Sequence, residues 1–159
     1  MRSDLIPIYE ANLADFGRLA DDQLMGLTIY AEARGEGREG RVAVGTVILE
    51  RVDHRKWDGE TVQEVCLWPL QFSCFNPHDK NRDILLKIAQ DWPGKYQTSK
   101  PLQECFCIAR GMIEGRIHRD PDLSTVHCCQ YMTPAAAKKT AWDDKMKIIK
   151  TIGGHVFYA

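Results

Sequence analysis

The sequence carries no excess of positive charge and no run of lysine or arginine. Its 21 lysine and arginine residues are balanced by 22 aspartate and glutamate residues, which gives a formal net charge of -1. Proteins that bind nucleic acid usually concentrate basic residues along one surface, so we do not expect a nucleic-acid partner. Apolar runs as long as a membrane span are also missing, and we expect no stable insertion into a membrane.

The first residues lack the apolar core of a secretion signal. Glu10, Asn12 and Asp15 follow the short apolar stretch at 5–8 and interrupt it before it reaches the required length. We therefore expect synthesis in the cytoplasm without a signal peptide. A substrate outside the cytoplasm would then have to be reached by another route.

The chain also lacks repeats, low-complexity tracts and linkers. With 159 residues, of which 44% are hydrophobic, it suits one compact domain over residues 1–159. Its cysteines are too sparse for a disulfide scaffold, so we expect most of them to be free and buried. They are Cys66, Cys74, Cys105, Cys107, Cys128 and Cys129.

Hydrophobic periodicity predicts a mainly helical α+β domain with a small sheet near the C-terminus. Length favours a helix over a strand for residues 38–53. A helix that Asp21 or Asp22 can cap should end at Gly35, a residue suited to the left-handed position. Other helices are predicted at 4–16, interrupted by Pro7, at 61–66, from 84 to Pro93-Gly94 and at 101–114. Residues 126–132 should be extended, and residues 134–137 should begin a loop or short helix. Residues 146–158 should form a β-hairpin around Gly153-Gly154.

The helix from Asp21 has almost no polar side, yet it carries a carboxyl group near its end. Plotted at about 100° per residue, its apolar residues spread around nearly the full turn, and such a helix is buried. Glu32 lies one turn after Thr28, with Ile29 at the i+3 spacing, so its side chain should contact apolar neighbours. Burial favours the protonated form of a carboxyl group, which is the form that a general acid in glycosidic cleavage needs.

The alternative for Glu32 is a structural ion pair with a nearby base. Arg34 is close in sequence, but residues two apart on a helix point to different faces, which argues against that pair. We expect Arg34 instead to orient a carboxylate or a backbone carbonyl group near the site.

Five separated blocks, taken in order, resemble the catalytic domain of the SleB/CwlJ cell wall hydrolases. They are residues 31–36, 40–44 together with 47–52, 71–73, 127–134 and 154–158, and the resemblance spans about 24–158. Ordered blocks are more specific than one short motif. The sequence departs from the family pattern at Glu50, where Asn is usual, at Cys128-Cys129, where aromatic residues are common, and at Gly154, where Asn or Gln often stands.

The resemblance implies a lysozyme-like or lytic transglycosylase-like fold, in which Glu32 ends a central helix and faces a sugar-binding groove. It implies an enzyme that cleaves the β-1,4 bond between N-acetylmuramic acid and N-acetylglucosamine in peptidoglycan glycan strands, without a cofactor. A lytic transglycosylase uses this one glutamate and gives 1,6-anhydromuramyl products. A muramidase of the lysozyme type would need a second carboxylate.

Glu36 is the nearest candidate for that second carboxylate. Gly35 and Gly37 suggest that it has left the helix, so it could equally cap the next helix or bind Arg34 or Arg38. Transglycosylation is therefore favoured over hydrolysis.

Members of this family without further domains or a signal resemble phage or prophage endolysins. The resemblance thus implies a monomer that a holin releases to act on the cell wall.

Other residues are expected to line the groove. Gln71, Phe72 and Ser73 would supply an amide, a ring and a hydroxyl group to sugars, although the same triplet can be a helix-ending turn. Tyr131 and His155 each have a polar tip that needs a partner when buried. Tyr158 is expected at the same cleft, whereas Phe157 is expected to pack. Four tryptophans remain unassigned, and one of them could form a sugar platform: Trp57, Trp68, Trp92 and Trp142.

Three other functions were weighed against this one. A zinc site would draw on Cys105, Cys107, His118 and residues 127–129, but their spacing is poor and adjacent cysteines of a strand point to opposite faces, so no metal is expected. A non-catalytic module could bind glycan in the same groove. An amidase would need a metal or a Cys-His nucleophile that is not evident.

Overall fold

The computed structural model describes residues 3–54, 59–140 and 146–159. It shows a mainly helical domain with one small antiparallel sheet, which confirms the predicted fold class. Within these ranges no helix combines the length and the apolar character that crossing a bilayer requires. The elements are α1 (Ile6–Phe16), α2 (Asp21–Ala33), α3 (Arg38–His54), α4 (Val62–Leu67), a 3-10 turn (Ser73–Phe75), α5 (Arg82–Gln90), α6 (Trp92–Thr98), α7 (Lys100–Ile113), α8 (Pro121–Thr125), β1 (Gln130–Met132), α9 (Pro134–Thr140), β2 (Ile148–Ile152) and β3 (His155–Tyr158).

Helix α2 lies at the centre of the helical part. It packs against α7, α3 and α4, and Leu24, Leu27 and Ile29 are completely buried. At Gly26 the α7 backbone comes so close that a β-carbon would lie 2.9 Å from the Cα of Phe106. The predicted buried helix is therefore confirmed, and its last turn brings Glu32 to the edge of the core.

Both ends of α2 differ from the prediction. Ala20 precedes the helix and its N–H donates to Oε1 of Gln23 at 3.0 Å, so neither Asp21 nor Asp22 is the cap. These two acids lie in the first turn, where the helix dipole favours negative charge. Gly35 is not in the left-handed region, because a side chain from α3 satisfies the last carbonyl groups of α2 instead.

Two prolines were expected to interrupt or end helices, and both begin one. Pro7 lies in the first turn of α1, where a missing N–H costs nothing. Pro93 lies in the first turn of α6, and Asp91 accepts the N–H of Gly94 at 3.3 Å as the cap of that helix. The predicted helix from 84 therefore ends earlier, at Gln90.

Strand β3 lies between β1 and β2, and both pairings are antiparallel. The predicted hairpin is confirmed, and Gly153 adopts φ +54° in its turn. Because side chains alternate along a strand, His155 and Phe157 point to one face of the sheet. Val156 and Tyr158 point to the other face, where they form a small separate cluster with Ala137.

The segment predicted as extended is only partly a strand. Of residues 126–132, the last three form β1. Residues 126–129 form the turn that follows α8 and a short loop.

The six cysteines form no disulfide among the described residues, in agreement with the expectation that most of them keep their thiols. Four are buried, Cys129 is half-buried and Cys107 is exposed. The buried thiols therefore behave as small apolar side chains of the interior.

Candidate active site

The carboxyl group of Glu32 is held by side chains from two distant parts of the chain. Its Oε2 accepts a hydrogen bond of 2.9 Å from the hydroxyl group of Tyr131. The thiol of Cys74 lies near enough to Glu32 for the charge of that carboxyl group to raise the pKa of the thiol. Since Glu32 is half-buried at the end of α2, these contacts orient a carboxyl group that is still partly exposed.

Tyr131 stays protonated far into the alkaline range. Burial and, after it, the negative charge of Glu32 raise the pKa of Tyr131 well above its ordinary value of 10.0, while Arg51 acts in the opposite direction. The phenol is therefore a reliable hydrogen-bond donor to Glu32.

Cys74 is the second uncharged side chain beside Glu32, and sequence reasoning assigned it no role. Its side chain is almost fully buried, and burial, followed by the charge of Glu32, raises its pKa well above the ordinary value of 9.0. Its position directly after the block Gln71-Phe72-Ser73 is the signal that could have identified it.

The sheet positions Tyr131. In the pairing of β1 with β3, Tyr131 lies opposite Phe157, and their ring centroids are 5.4 Å apart. The ring of His155 meets that of Tyr131 edge-on at 4.9 Å and 84°. The Nδ1 atom of His155 is buried and has no hydrogen-bond partner among the described residues.

Arg51 connects the two segments that contact Glu32. Its Nε donates to the carbonyl oxygen of Cys129 at 2.8 Å, just before β1. Its Nη1 donates to the carbonyl oxygen of Gln71 at 3.4 Å, and its guanidinium lies 4.8 Å from the centre of the Phe72 ring. This buried arginine lies inside one of the family-like blocks, but the sequence did not single it out.

The three residues predicted to bind sugars at 71–73 differ in their exposure to solvent. Phe72 is 2% exposed and lies beneath Arg51, so its ring packs instead of facing a sugar. Gln71 is half-buried and Ser73 is exposed. Leu70, next to them, is 62% exposed and adopts φ +68°.

Glu36 binds the turn of the β-hairpin. Its Oε1 accepts the N–H of Gly154 at 3.0 Å. A β-carbon at Gly153 would lie only 1.7 Å from Oε2 of Glu36, so the carboxylate needs a glycine at that position. The expected contacts with Arg34 or Arg38 are thus replaced by a contact with the backbone of the sheet.

Arg34 points away from the expected orienting role. It is exposed, and its Nη2 donates to Oδ1 of Asn81 at 3.3 Å. Arg41, which is buried, binds the end of α2: its Nε donates to the carbonyl oxygen of Ala33 at 3.4 Å and its Nη2 to that of Arg34 at 2.9 Å. A cation at a helix C-terminus is favourable, so Arg41 fixes the turn that carries Glu32, and it also pairs with Glu104.

Tyr158 does not lie with the other predicted groove residues. It is fully buried and points to the sheet face opposite to His155 and Phe157, because neighbouring positions of a strand face opposite ways. The prediction that it lines the cleft of Glu32 is corrected accordingly.

The described tryptophans pack against other rings. Trp68 lies 5.5 Å from Tyr9 and Trp92 lies 5.7 Å from Phe106, measured between ring centroids. Trp57 and Trp142 lie outside the described residues.

The cysteines weighed as zinc ligands have other partners. Cys105 lies in the main core, and Sγ of Cys128 contacts the carbonyl oxygen of Tyr158 at 3.2 Å. The structure instead brings His127 close to Glu50 and His54.

The sequence was compared with known families and proteins. The family model described as Cell Wall Hydrolase matches residues 35–158. A spore cortex-lytic enzyme of Oceanobacillus iheyensis is 38% identical over 79 residues, which make up 45% of this chain and 28% of that enzyme. The match therefore spans little more than a quarter of the curated relative.

Two solved structures have a similar fold. The catalytic domain of the Bacillus cereus SleB protein is 28% identical, with a TM-score of 0.61 over 87% of this chain and 89% of that one. The catalytic domain of the germination-specific lytic transglycosylase SleB from Bacillus anthracis is 27% identical, with a TM-score of 0.60 over 87% and 93%. The resemblance seen in the sequence is confirmed.

The contact between Glu36 and the hairpin turn can be tested by its effect on stability. Glu36→Ala removes the acceptor of the Gly154 N–H, and we expect the free energy of unfolding to fall by about 0.5–1.5 kcal/mol. Glu36→Gln keeps a carbonyl oxygen there and should lose less. Urea denaturation measures both, and equal stability of Glu36→Ala and the unchanged protein would show that the contact does not stabilise the fold.

Proposed function

Because the chain belongs to the cell wall hydrolase family, we propose that it cleaves the β-1,4 bond between N-acetylmuramic acid and N-acetylglucosamine in peptidoglycan, with Glu32 as its general acid. The observation that carries this proposal is the carboxyl group of Glu32, hydrogen-bonded by Tyr131 at the end of a buried helix. The similarity to the SleB catalytic domains supports it, since one of them is named a lytic transglycosylase.

The partners of Glu32 suit a group that must both give and take a proton. The Tyr131 hydroxyl donates to Glu32 and the Cys74 thiol lies beside it. Each keeps its own proton because burial and the charge of Glu32 raise its pKa, so neither adds a charge beside the carboxyl group. The family match begins at residue 35, so the role of Glu32 is argued from these contacts.

One carboxyl group is sufficient for both proton transfers of the transglycosylase reaction. Glu32 donates its proton to the glycosidic oxygen, which leaves as the 4-hydroxyl group of N-acetylglucosamine, and the muramic acid ring passes through an oxocarbenium-like state. The carboxylate of Glu32 then accepts the proton of the C6 hydroxyl group as that oxygen bonds to C1. The product is a 1,6-anhydromuramyl end, and Glu32 regains its proton.

Transglycosylation is favoured over hydrolysis by the position of Glu36. A lysozyme-type hydrolase needs a second carboxylate beside the sugar ring. The Glu36 carboxylate is instead bonded to Gly154 and packed against Gly153. We therefore assign Glu36 a structural role.

The sugar-binding groove is proposed along the sides of Glu32 that the chain leaves accessible. Ser73 is exposed, Gln71 is half-buried, and both flank the segment that holds Cys74. On the side of Tyr131, the buried Nδ1 of His155 has no partner among the described residues, and we propose that a sugar group reaches it when the groove is occupied. An amide, a hydroxyl group and an imidazole are suitable partners for sugar hydroxyl and N-acetyl groups. The endolysin role and the release by a holin stay predictions from the resemblance.

The role of Glu32 can be tested with Glu32→Gln. General acid catalysis contributes typically about 10²–10⁴-fold, so we expect lysis of purified sacculi to fall by at least about 10²-fold while binding to sacculi in a pull-down is kept. Glu10→Gln, an exposed change on α1, serves as the control and should lyse normally. Unchanged lysis by Glu32→Gln would remove Glu32 from the mechanism, whereas a protein that binds glycan but never lyses it would be a binding module.

The hydrogen bond from Tyr131 can be tested with Tyr131→Phe. This bond to an ionising group is worth about 1.5–3 kcal/mol, so we expect kcat to fall roughly 10- to 100-fold while KM changes little. Tyr96→Phe is the matched control, because Tyr96 packs against Trp92 and Phe106 on α6 and α7. A kcat for Tyr131→Phe equal to that of the control would show that the Tyr131 hydroxyl does not assist Glu32.

The reaction class can be tested by mass spectrometry of digested peptidoglycan. We expect anhydromuropeptides, and we expect Glu36→Gln to form them at a rate close to that of the unchanged protein, because its carboxylate has no chemical step. Products with reducing ends only, together with loss of activity in Glu36→Gln, would instead identify a muramidase.

A further inference from the structure

Three potential metal ligands converge where the last turn of α3 meets the loop after α8. Glu50 and His54 are four residues apart on α3 and therefore share one face of that helix. Oε2 of Glu50 lies 3.4 Å from Nε2 of His54 and 3.1 Å from Nδ1 of His127. The three ligand atoms all lie within 4.8 Å of one another. None of these side chains takes part in the contacts of Glu32 described above.

We propose that Glu50, His54 and His127 form a binding site for a divalent transition metal ion, of which zinc fits best. Two imidazole nitrogens and one carboxylate oxygen are a ligand set that zinc uses, with its fourth position left open. Tetrahedral zinc with bonds of about 2.0–2.1 Å places its ligand atoms about 3.3 Å apart. Both distances from the histidines to Glu50 agree with that value. Calcium and magnesium are poor fits, because they prefer oxygen ligands.

The surroundings of Glu50 hold its carboxylate ready for a cation. Its side chain is 2% exposed, and its other oxygen, Oε1, accepts a hydrogen bond of 2.7 Å from Nη1 of Arg119. Such outer contacts orient metal-binding carboxylates, and here they leave Oε2 facing the two histidines. Arg119 also pairs with Asp53 at 2.7 Å.

The two histidines are accessible from solvent. Their side chains are 42% and 59% exposed for His54 and His127, and their rings lie with centroids 3.9 Å apart at an angle of 37°. A surface cavity of about 340 Å³, lined in part by His54, His127 and Cys129, lies beside them. An ion can therefore enter without opening the core, and the exposed side chains can turn to close the distance between their nitrogens.

A metal ion here would join α3 to the segment that leads into the sheet. His127 precedes β1, which carries Tyr131. Arg51, the residue after Glu50, already binds the carbonyl oxygen of Cys129 in the same segment. The ion would thus reinforce an existing connection, and we expect it to stabilise the folded protein.

The site can be tested by isothermal titration of the full chain, without a histidine tag and after treatment with a chelator, using zinc chloride as the probe. We expect one zinc ion per chain. His54→Ala and His127→Asn should each weaken binding by at least about 10-fold, because each removes one of three ligands. Asn is chosen for position 127 because His127 has φ +51°, and Asn tolerates the left-handed region.

His78→Asn is the matched control, since His78 is also exposed and has φ +69°. It should bind zinc as the unchanged protein does. At zinc concentrations about 100-fold above the Kd of the unchanged protein, its Tm should rise by roughly 5 °C or more, and the Tm of His54→Ala should rise by about half as much or less.

Two results would overturn the proposal. Equal zinc affinity of the unchanged protein, His54→Ala and His127→Asn would show that the cluster is only hydrogen-bonded. Equal weakening by His78→Asn would show that zinc binds to exposed histidines in general. Because the His54 side chain is largely exposed at a helix end, its removal leaves the core intact and keeps the test informative.

Discussion

The hydrogen bond between Tyr131 and Glu32 joins the sheet to the central helix, and the geometry of the site depends on it. One partner ends a helix that is buried on nearly every side, and the other lies 99 residues later on a three-residue strand. A short strand has little stability of its own. The position of Tyr131 therefore depends on the neighbouring β3, on the rings of His155 and Phe157, and on Arg51 just before the strand.

Charged side chains bound to backbone groups hold the remaining parts in place. Arg41 satisfies carbonyl groups at the end of α2, Arg51 bridges the segments before β1 and before Cys74, and Glu36 binds the hairpin turn. Each contact is between a charge and a peptide group, which gives a stronger hydrogen bond than two neutral groups. Because the partners come from different elements, these contacts fix the distances between elements as well as their ends.

Long elements with a clear apolar pattern could be predicted, whereas helix ends could not. The buried helix with Glu32 was predicted from periodicity, the helix at 38–53 from the length of its apolar segment, and the C-terminal hairpin from the Gly153-Gly154 pair. The cap at Asp21 or Asp22 and the left-handed Gly35 were wrong, because Gln23 and Arg41 satisfy those backbone groups. At a helix end, the unpaired backbone groups can be bound either by the residues that locally prefer such positions or by side chains from distant parts of the chain. A single sequence does not show which of these will bind them.

The candidate site likewise contains features that could be predicted from the sequence and features that could not. By itself the sequence determined that a carboxyl group ends an apolar helix, which family the ordered blocks resemble, and that Tyr131 and His155 have polar tips that need partners. Only the tertiary structure decided that Cys74 and Tyr131 meet Glu32, that Phe72 lies beneath Arg51, and that Tyr158 points to the far side of the sheet. The reason is physical: periodicity reports which face of an element is buried, but the pairing of distant side chains depends on how the elements pack against one another.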